Sequence, residues 1–314
     1  MILRGRNIVY VFIFSFIFIL YTQFALWRQY PAEKGFDTAN WDERRYLDAI
    51  SYQPLNMHYR LKLASFYIYL GKAGPAEGQF LKAVKLDRTN SVVHYDLANF
   101  YASELGGSRL DLAAEYYKKA MSFSPEGFQP DILDNAYKNF KGDYGRLRNI
   151  VKQTDVANHM FAGFLRDKKR YKESVREFKK SVILADKNKN RYIKADSTNW
   201  IAIIYGWQGD ISGAIKYFER AIGLAEDNSY KGWIYRNMGN TYLNSGDFKK
   251  AESACKKSIE SDPSAAANYY TLGNVYDKIG LPRQARDCYY TALKFTNDRY
   301  LLEQISKKLK EINS

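Results

Sequence analysis

Two stretches of sequence thirty-four residues apart, Gly239-Asn240-Thr241-Tyr242 and Gly273-Asn274-Val275-Tyr276, decide the fold. A glycine follows each stretch at the same distance, at Gly246 and Gly280. A repeat with this period is typical of stacked helical hairpins, in which each hairpin buries its apolar face against its neighbours. The sequence therefore predicts an all-α solenoid. Because a solenoid mainly provides surface, it also predicts a function in binding.

The same frame extends towards the N-terminus. Small residues recur in the predicted first helix of each unit and alanines recur in the second, with aromatic residues between them. Small residues let two antiparallel helices approach closely, and the aromatic rings fill the space beside them. The small first-helix residues are Ala64, Ala98, Ala162 and Ala202, and the second-helix alanines are Ala76, Ala113 and Ala214.

This pattern resembles the tetratricopeptide repeat family over residues 41–314, strongly in the last two units and weakly over residues 128–188. The resemblance implies a right-handed superhelical solenoid of helical hairpins. We place the repeats at residues 57–297, with a degenerate unit at residues 128–154. The units are predicted to begin near Met57, Ser91, Phe128, Asp155, Ala195, Gly232 and Ala266, and three residues around Ser229–Lys231 are interpreted as an insertion between two units.

The segments on either side of the repeats are also predicted to be helical. Residues 28–56 are interpreted as a linker followed by a lone helix that resembles the second helix of a repeat. Residues 298–314 carry apolar residues on one helical face and lysines on the other, which suits a capping helix that covers the last repeat and faces water. The apolar residues of this face are Leu301, Ile305, Leu309 and Ile312.

Residues 7–27 contain no charged residue, and Arg6 and Arg28 flank them. Twenty-one residues at about 1.5 Å each span about 30 Å, the thickness of the hydrocarbon core of a bilayer. A cleaved signal peptide is the main alternative, but it would have a shorter apolar core followed by a small-x-small cleavage site. Phe24-Ala25-Leu26 is not such a site. The sequence therefore predicts a transmembrane helix at residues 7–27 after a short tail at residues 1–6.

The charges on either side of the predicted span indicate its orientation. Arg4 and Arg6 precede the span, and Arg28 follows it. Because positive charge is enriched on the cytoplasmic side, the short tail is expected in the cytoplasm. This favours a bacterial inner membrane with the repeats in the periplasm. The alternative is an organelle membrane with the repeats in the cytosol.

The positive charge of the chain is concentrated in one block. The net charge is +14, and residues 138–194 contain seventeen Lys and Arg against six Asp and Glu. We interpret a basic surface within this block as a contact for anionic lipid headgroups or an acidic protein, with a plain solvated face as the alternative. Nucleic acid is a less favoured partner because no binding motif accompanies the charge. The basic surface comprises Lys168, Lys169, Arg170, Lys172, Arg176, Lys179 and Lys180.

The sequence does not indicate catalysis. The three histidines are scattered among units, and there is no phosphate-binding glycine loop, nucleophile elbow or His-Glu-x-x-His motif. Cys255 and Cys288 lie about one repeat apart, outside any Cys-x-x-Cys motif, and are predicted to be buried free thiols. We therefore expect no enzyme activity, no cofactor and no metal site.

The resemblance places certain first-helix positions on the concave face, where aromatic, asparagine and arginine side chains would contact a partner peptide. Four of these residues, Arg236, Asn240, Asn274 and Lys308, resemble the carboxylate clamp of some family members, although the clamp's first basic residue is usually lysine. The predicted groove residues are Tyr69, Tyr95, Asn99, His159, Asn199, Trp207, Trp233, Arg236, Asn240, Asn244, Tyr270, Asn274, Lys278 and Lys308.

These features predict a non-catalytic, membrane-anchored scaffold or adaptor that binds partner proteins, as a groove-bound peptide or helix, and acts in the assembly or organisation of a membrane or envelope complex. Two alternatives remain open. One is a co-chaperone or import receptor that faces the cytosol on an organelle membrane, which the clamp resemblance favours. The other is an accessory subunit that recruits a separate enzyme.

The membrane prediction has a direct test. We expect the full chain to remain in the membrane fraction through high-salt and carbonate washes, because an inserted apolar helix is held by burial in the bilayer. A shortened chain that begins at Thr38 should stay in the supernatant. Fractionation followed by immunoblotting measures both. Release of the full chain by salt alone would contradict the anchor.

Overall fold

The computed structural model describes residues 42–123 and 127–313, and these ranges contain sixteen α-helices. The predicted membrane span and the tail before it lie outside the described residues. Within residues 42–123 and 127–313, no helix is both long and apolar enough to cross a membrane. The helices are α1 (Glu43–Tyr52), α2 (Met57–Tyr69), α3 (Ala73–Leu86), α4 (Ser91–Ala102), α5 (Leu110–Ser122), α6 (Pro130–Asn139), α7 (Tyr144–Ile150), α8 (Asp155–Asp167), α9 (Tyr171–Lys187), α10 (Arg191–Trp207), α11 (Ile211–Leu224), α12 (Asn228–Ser245), α13 (Phe248–Ser261), α14 (Ala266–Lys278), α15 (Pro282–Lys294) and α16 (Arg299–Asn313).

Consecutive helices from α2 to α15 pair into hairpins, so the described part of the protein is all-α. The helices form two compact units, α1–α7 and α8–α16. The first unit contains α1 and the hairpins α2/α3, α4/α5 and α6/α7. The second contains α8/α9, α10/α11, α12/α13 and α14/α15, followed by α16. Within each unit every hairpin contacts the next. The hairpin α6/α7, where the repeat pattern is weakest, has the shortest helices.

The two helices of a hairpin meet at small residues. Ala202 and Ala214 of the hairpin α10/α11 are fully buried beside the fully buried ring of Phe218. In the hairpin α14/α15 the contact is closer, because a Cβ atom added at Gly273 would lie 2.6 Å from Cε1 of Tyr289. Burial of apolar side chains at these contacts is the main stabilising contribution to each hairpin.

A tyrosine–glutamate hydrogen bond joins successive hairpins. Near the end of a first helix, the Tyr101 hydroxyl donates to Glu77 in the preceding second helix at 2.8 Å. The Tyr276 hydroxyl donates to Glu252 at 3.0 Å, over the same separation of twenty-four residues. The Tyr67 hydroxyl forms this bond with Glu43 of α1 at 2.7 Å. Helix α1 therefore makes the same contact with α2 that a second helix makes with the first helix after it.

Two first helices begin earlier than the sequence pattern predicts. Helix α10 begins at Arg191 because the Asn190 side chain accepts the backbone N–H of Ile193 at 3.2 Å. Helix α12 begins at Asn228 because the Asp227 carboxylate accepts the backbone N–H of Tyr230 at 2.8 Å. Each of these bonds satisfies a donor that the first helical turn leaves unpaired. The interpretation of residues 229–231 as an insertion between units is therefore wrong, because they form the first turn of α12.

Helix α16 covers the open side of the last hairpin. Ile305 and Leu309 are buried against Ala292 and Tyr289 of α15, and Leu301 and Ile312 pack beside them. The lysines on the opposite face, at positions 307 and 310, are exposed. Helix α16 thus buries its apolar face against the last hairpin and exposes its lysines to water, as a terminal cap does.

The tight contact at Gly273 leads to a prediction on stability. Gly273→Ala should lower the melting temperature because the buried Tyr289 ring leaves no room for a methyl group, and overpacking of this kind costs about 1–3 kcal/mol. Gly163→Ala is the control, since an added Cβ at this position in α8 meets only ordinary contact, with the nearest atom at 4.0 Å. Alanine favours a helix over glycine by about 1 kcal/mol, so the control should be stabilised. Thermal unfolding of both variants checks the contrast, and equal stabilisation of both would refute it.

Candidate partner-binding surface

The first helices of the second unit, α8, α10, α12 and α14, lie side by side as one layer. Each contacts the next first helix as well as its own hairpin partner. Most of the predicted groove residues are on this layer, whereas Tyr69, Tyr95 and Asn99 belong to the first unit. Tyr69 is 85% exposed. The Tyr95 hydroxyl accepts a hydrogen bond from Asn135 at 2.5 Å.

A chain of polar contacts crosses three of these helices. His159 of α8 lies 3.1 Å from the Asp196 carboxylate of α10, measured from Nε2 to Oδ2. The Tyr230 hydroxyl of α12 donates to the same carboxylate at 2.9 Å. The other ring nitrogen of His159 lies 2.9 Å from the Ser197 hydroxyl. Burial, and then the charge of Asp196, raise the pKa of Tyr230. His159, predicted as a groove residue, is thus held by this internal network.

A row of aromatic rings runs beside the polar chain. The Trp200 and Trp233 rings are 6.0 Å apart between centroids, and the Trp233 and Tyr230 rings are 5.5 Å apart. Tyr192 extends the row, at 5.7 Å from Tyr230. At the opposite end, the Arg166 guanidinium lies 3.9 Å from the Trp200 ring centroid. Trp233 is half-buried within this row of rings, which the repeat pattern of the sequence does not predict.

Two of the predicted groove asparagines have structural roles. The hydroxyl of Tyr289, a fully buried residue of α15, donates to the Asn274 side chain at 2.8 Å. In the first unit, the hydroxyl of the fully buried Tyr117 donates in the same way to Asn99. Burial raises the pKa of both tyrosines, which stay neutral and act as donors. Each asparagine thus satisfies a hydroxyl within the protein.

Asn240 differs, although it occupies the same repeat position in α12. The residue of α13 that corresponds to Tyr289 is Cys255, which provides no hydroxyl. The Cys255 thiol is fully buried against Gly239, where an added Cβ would lie 2.6 Å from the sulfur. Across residues 42–123 and 127–313, Asn240 has no side-chain hydrogen bond partner. Its amide is therefore available to a ligand.

Arg236 lies one helical turn before Asn240 on α12. Its side chain is half-buried, and burial lowers the pKa of its guanidinium. None of the carboxylates in the described ranges forms an ion pair with it. A desolvated cation without a counterion is unfavourable, so Arg236 and Asn240 together form a polar site that a partner can satisfy.

The carboxylate clamp suggested by the resemblance is not assembled as such. The Lys308 ammonium lies 3.0 Å from Asp277 and 3.2 Å from Glu311. The hydrogen bond to Asp277 raises the pKa of Lys308. Because Asn274 is also engaged, by Tyr289, two of the four clamp residues already have partners within the chain.

The remaining groove residues have different surroundings. Trp207 is 53% exposed, and its ring lies 5.8 Å from that of Tyr171. The Tyr270 ring lies 5.8 Å from the Tyr289 ring. Asn199, expected on the concave face, is fully buried, and neither polar atom of its amide has a hydrogen bond partner. Asn244 and Lys278, near the ends of α12 and α14, are exposed, and their side chains have no hydrogen bond or ion pair within residues 42–123 and 127–313.

The predicted basic surface lies at the turn between α8 and α9 and along α9. Several of its members contact other residues of the protein. Arg170 pairs with Glu173 at 2.7 Å and Lys180 pairs with Glu177 at 2.8 Å. Lys179 donates to the Tyr205 hydroxyl at 3.1 Å. Lys168, Lys169, Lys172 and Arg176 are exposed. A role in contacting an anionic surface remains a prediction.

The described part of the chain offers few side chains suited to nucleophilic catalysis or metal binding. Cys255 and Cys288 are free thiols. Burial raises the pKa of the Cys255 thiol to about 12 and that of Cys288 to about 11, so neither is an activated nucleophile at neutral pH. Within residues 42–123 and 127–313, no cluster of three or more His, Cys, Asp or Glu side chains is placed to hold a metal ion.

The hairpins of the second unit form a repeat module whose first helices lie side by side in one layer. Comparison with protein families identifies the module. Models of the tetratricopeptide repeat match residues 194–264 and 266–299. Residues 194–299 therefore consist of tetratricopeptide repeats, which mediate protein–protein interactions and are typically non-catalytic.

Two curated proteins are similar to parts of this chain. Antiviral innate immune response effector IFIT1 of Homo sapiens is 27% identical over 157 residues, which cover 47% of this chain and 30% of the relative. Photosystem I assembly protein Ycf3 of Prochlorococcus marinus (strain NATL1A) is 29% identical over 72 residues, which cover 23% of this chain and 42% of the relative. The chain thus spans less than half the length of these curated relatives.

Solved structures with a similar arrangement include the APC/C hetero-tetramer Cut9-Hcn1, with a TM-score of 0.44 and 15% identity over 86% of this chain and 45% of that chain. Pseudomonas aeruginosa pilF has a TM-score of 0.39 and 13% identity, over 80% of this chain and 97% of that chain.

The contrast between equivalent asparagines can be measured. Asn274→Ala should reduce the free energy of unfolding by about 1–3 kcal/mol, because it leaves the buried Tyr289 hydroxyl without its acceptor. Asn240→Ala should change it by no more than about 0.5 kcal/mol, because no internal partner is lost. Chemical denaturation followed by circular dichroism provides both values. A loss of the same size for both variants would mean that Asn240 is also structural.

Proposed function

We propose that this protein is a membrane-anchored, non-catalytic scaffold or adaptor that binds partner proteins on the first-helix layer of its second unit. It acts in the assembly or organisation of a membrane or envelope complex. The charges that flank the predicted span favour a bacterial inner membrane with the repeats in the periplasm. The predicted anchor at residues 7–27 supplies the membrane attachment.

The observation that carries this proposal is the unpaired polar site at Arg236 and Asn240. A guanidinium that is partly removed from water gains most from a carboxylate or carbonyl oxygen, which it can bond through several donors. The asparagine amide can donate to and accept from a peptide backbone at the same time. A protein segment lying across α12 would satisfy both residues. Trp207 and Asn244 offer further exposed contacts near the C-terminal ends of α10 and α12.

The anchor gives this binding surface its context. A chain held at a bilayer confines its binding site to a thin layer, and this raises its effective concentration towards other membrane-bound proteins. That the similar protein Ycf3 is named as a photosystem I assembly protein supports a role in assembly. The engagement of Lys308 by Asp277 and Glu311 makes the co-chaperone alternative less favoured.

Site-specific photo-crosslinking tests the proposal in the cells that make the protein. A photoreactive amino acid at position 244, which is exposed on α12, should crosslink a defined partner. The same amino acid at position 183, where Ile183 is 58% exposed on the second helix α9, is the matched control and should give no such product.

Arg236→Ala combined with Asn240→Ala should abolish the crosslink while the far-UV circular dichroism spectrum stays unchanged. Mass spectrometry of the crosslinked product then shows whether the partner is a structural component or an enzyme. Equal crosslinking from positions 244 and 183, or a crosslink that survives the double substitution, would overturn the proposed surface.

A further inference from the structure

A cleft of about 460 Å³ opens where α10 and α12 begin and α11 ends. Tyr192, Tyr230 and Trp233 form its aromatic wall, and Ala195 and Leu224 are among its apolar lining. Arg191, Glu226 and Asp227 lie at its charged side. We propose that this cleft binds a cationic side chain, an arginine or a lysine, of a partner segment. The inference rests on the proposed function and names the chemistry of one contact in it.

The rings of the cleft are arranged to receive a cation. Tyr192, Tyr230 and Trp233 follow one another with centroids 5.5–5.7 Å apart and planes inclined at 33° and 45°. The negative face of an aromatic ring attracts an ammonium or guanidinium group, and tryptophan and tyrosine are the most effective rings. The Tyr230 hydroxyl donates to Asp196, a bond that polarises the ring further in the favourable direction.

The same aromatic row already binds a guanidinium at its other end. Arg166 lies 3.9 Å from the centroid of Trp200, which in turn contacts Trp233. At the cleft end, no cation of the described residues lies over the rings of Tyr192, Tyr230 or Trp233. The row therefore has one end occupied from within the chain and one end open to a side chain from outside.

The charge at the cleft also favours a cation. Glu226 and Asp227 carry two negative charges there, against the one positive charge of Arg191. Arg191 pairs with Glu226 at 2.9 Å, which reduces its attraction for an external anion. An anionic partner group would be repelled by both carboxylates, and a purely apolar group would form no hydrogen bond or ion pair with them.

The test uses the full chain in detergent with fluorotryptophan in place of tryptophan, observed by fluorine NMR. The Trp233 resonance is assigned with Trp233→Phe. The probes are short Gly/Ser peptides with one central residue, which is arginine, lysine, citrulline or glutamate. Citrulline matches the shape of arginine without its charge. The arginine and lysine peptides should shift the Trp233 resonance saturably, and the citrulline peptide should bind about five- to thirtyfold more weakly, the range that a cation–π contact supplies.

Variants locate the binding. Tyr192→Ala should abolish the shift, and the exposure of Tyr192, at 65%, keeps the cost to folding small. Tyr192→Phe should retain it, because the ring is kept. Tyr300→Ala is the matched control, since this tyrosine of α16 is 71% exposed and lies outside the cleft. Glu226→Gln should weaken the binding of the arginine peptide, because it removes one negative charge from the cleft.

Several outcomes would overturn the inference. These are the absence of a Trp233 shift with arginine and lysine peptides at millimolar concentrations, equal binding of the citrulline peptide, and preferential binding of the glutamate peptide. Each of these leaves the crosslink from position 244 unaffected. Conversely, loss of that crosslink with cationic peptides still bound would count against the proposed function alone.

Discussion

The close contact between the two helices of each hairpin is the constraint on which the rest of the structure depends. Where a first-helix glycine or alanine faces a second-helix packing residue, the two helices approach until side chain meets backbone, as at Gly273 and Tyr289. This distance fixes how the second helix is rotated, and therefore which first-helix residues remain on the free side. Because adjacent first helices also contact each other, the free sides of α8, α10, α12 and α14 form one continuous layer in the second unit.

This contact also decides which residues of the layer are free to bind. A buried tyrosine at the packing position needs an acceptor for its hydroxyl, and the asparagine opposite it supplies one. Where the packing residue is Cys255, there is no such hydroxyl, and the Asn240 side chain forms no hydrogen bond within residues 42–123 and 127–313. The residue at the packing position therefore decides whether the asparagine opposite it is engaged within the protein, as Tyr289 and Cys255 illustrate.

The architecture could be predicted from the sequence because it follows from periodic small and aromatic residues. The spacing of Gly239 and Gly273, and the apolar stripe of the C-terminal helix, are local patterns with one physical interpretation. The site was less accessible, because an asparagine at a repeat position looks the same whether or not a tyrosine elsewhere bonds to it. The sequence shows Tyr289 and Cys255 at the same repeat position, but only the structure shows that the Tyr289 hydroxyl bonds to Asn274.

Two other differences have similar causes. The early starts of α10 and α12 depend on the capping residues Asn190 and Asp227, which lie outside the repeat pattern. The aromatic row joins residues of neighbouring helices that no single repeat position connects. Its one sequence signal was the four-residue spacing of Tyr192, Asp196 and Trp200, which places them on one face of α10.

The difference between Cys255 and Tyr289, which occupy the same position in adjacent hairpins, has a consequence for how such repeats can vary. A tandem array made of such hairpins can gain or lose a recognition position by changing one buried residue, while the surface asparagine and the backbone stay as they are. The availability of a surface asparagine can in this way differ from one hairpin to the next, as it does between Asn240 and Asn274. Repeats with the same surface residue could in this way offer different hydrogen-bonding groups to a ligand, because a buried residue decides whether the surface residue is already bonded.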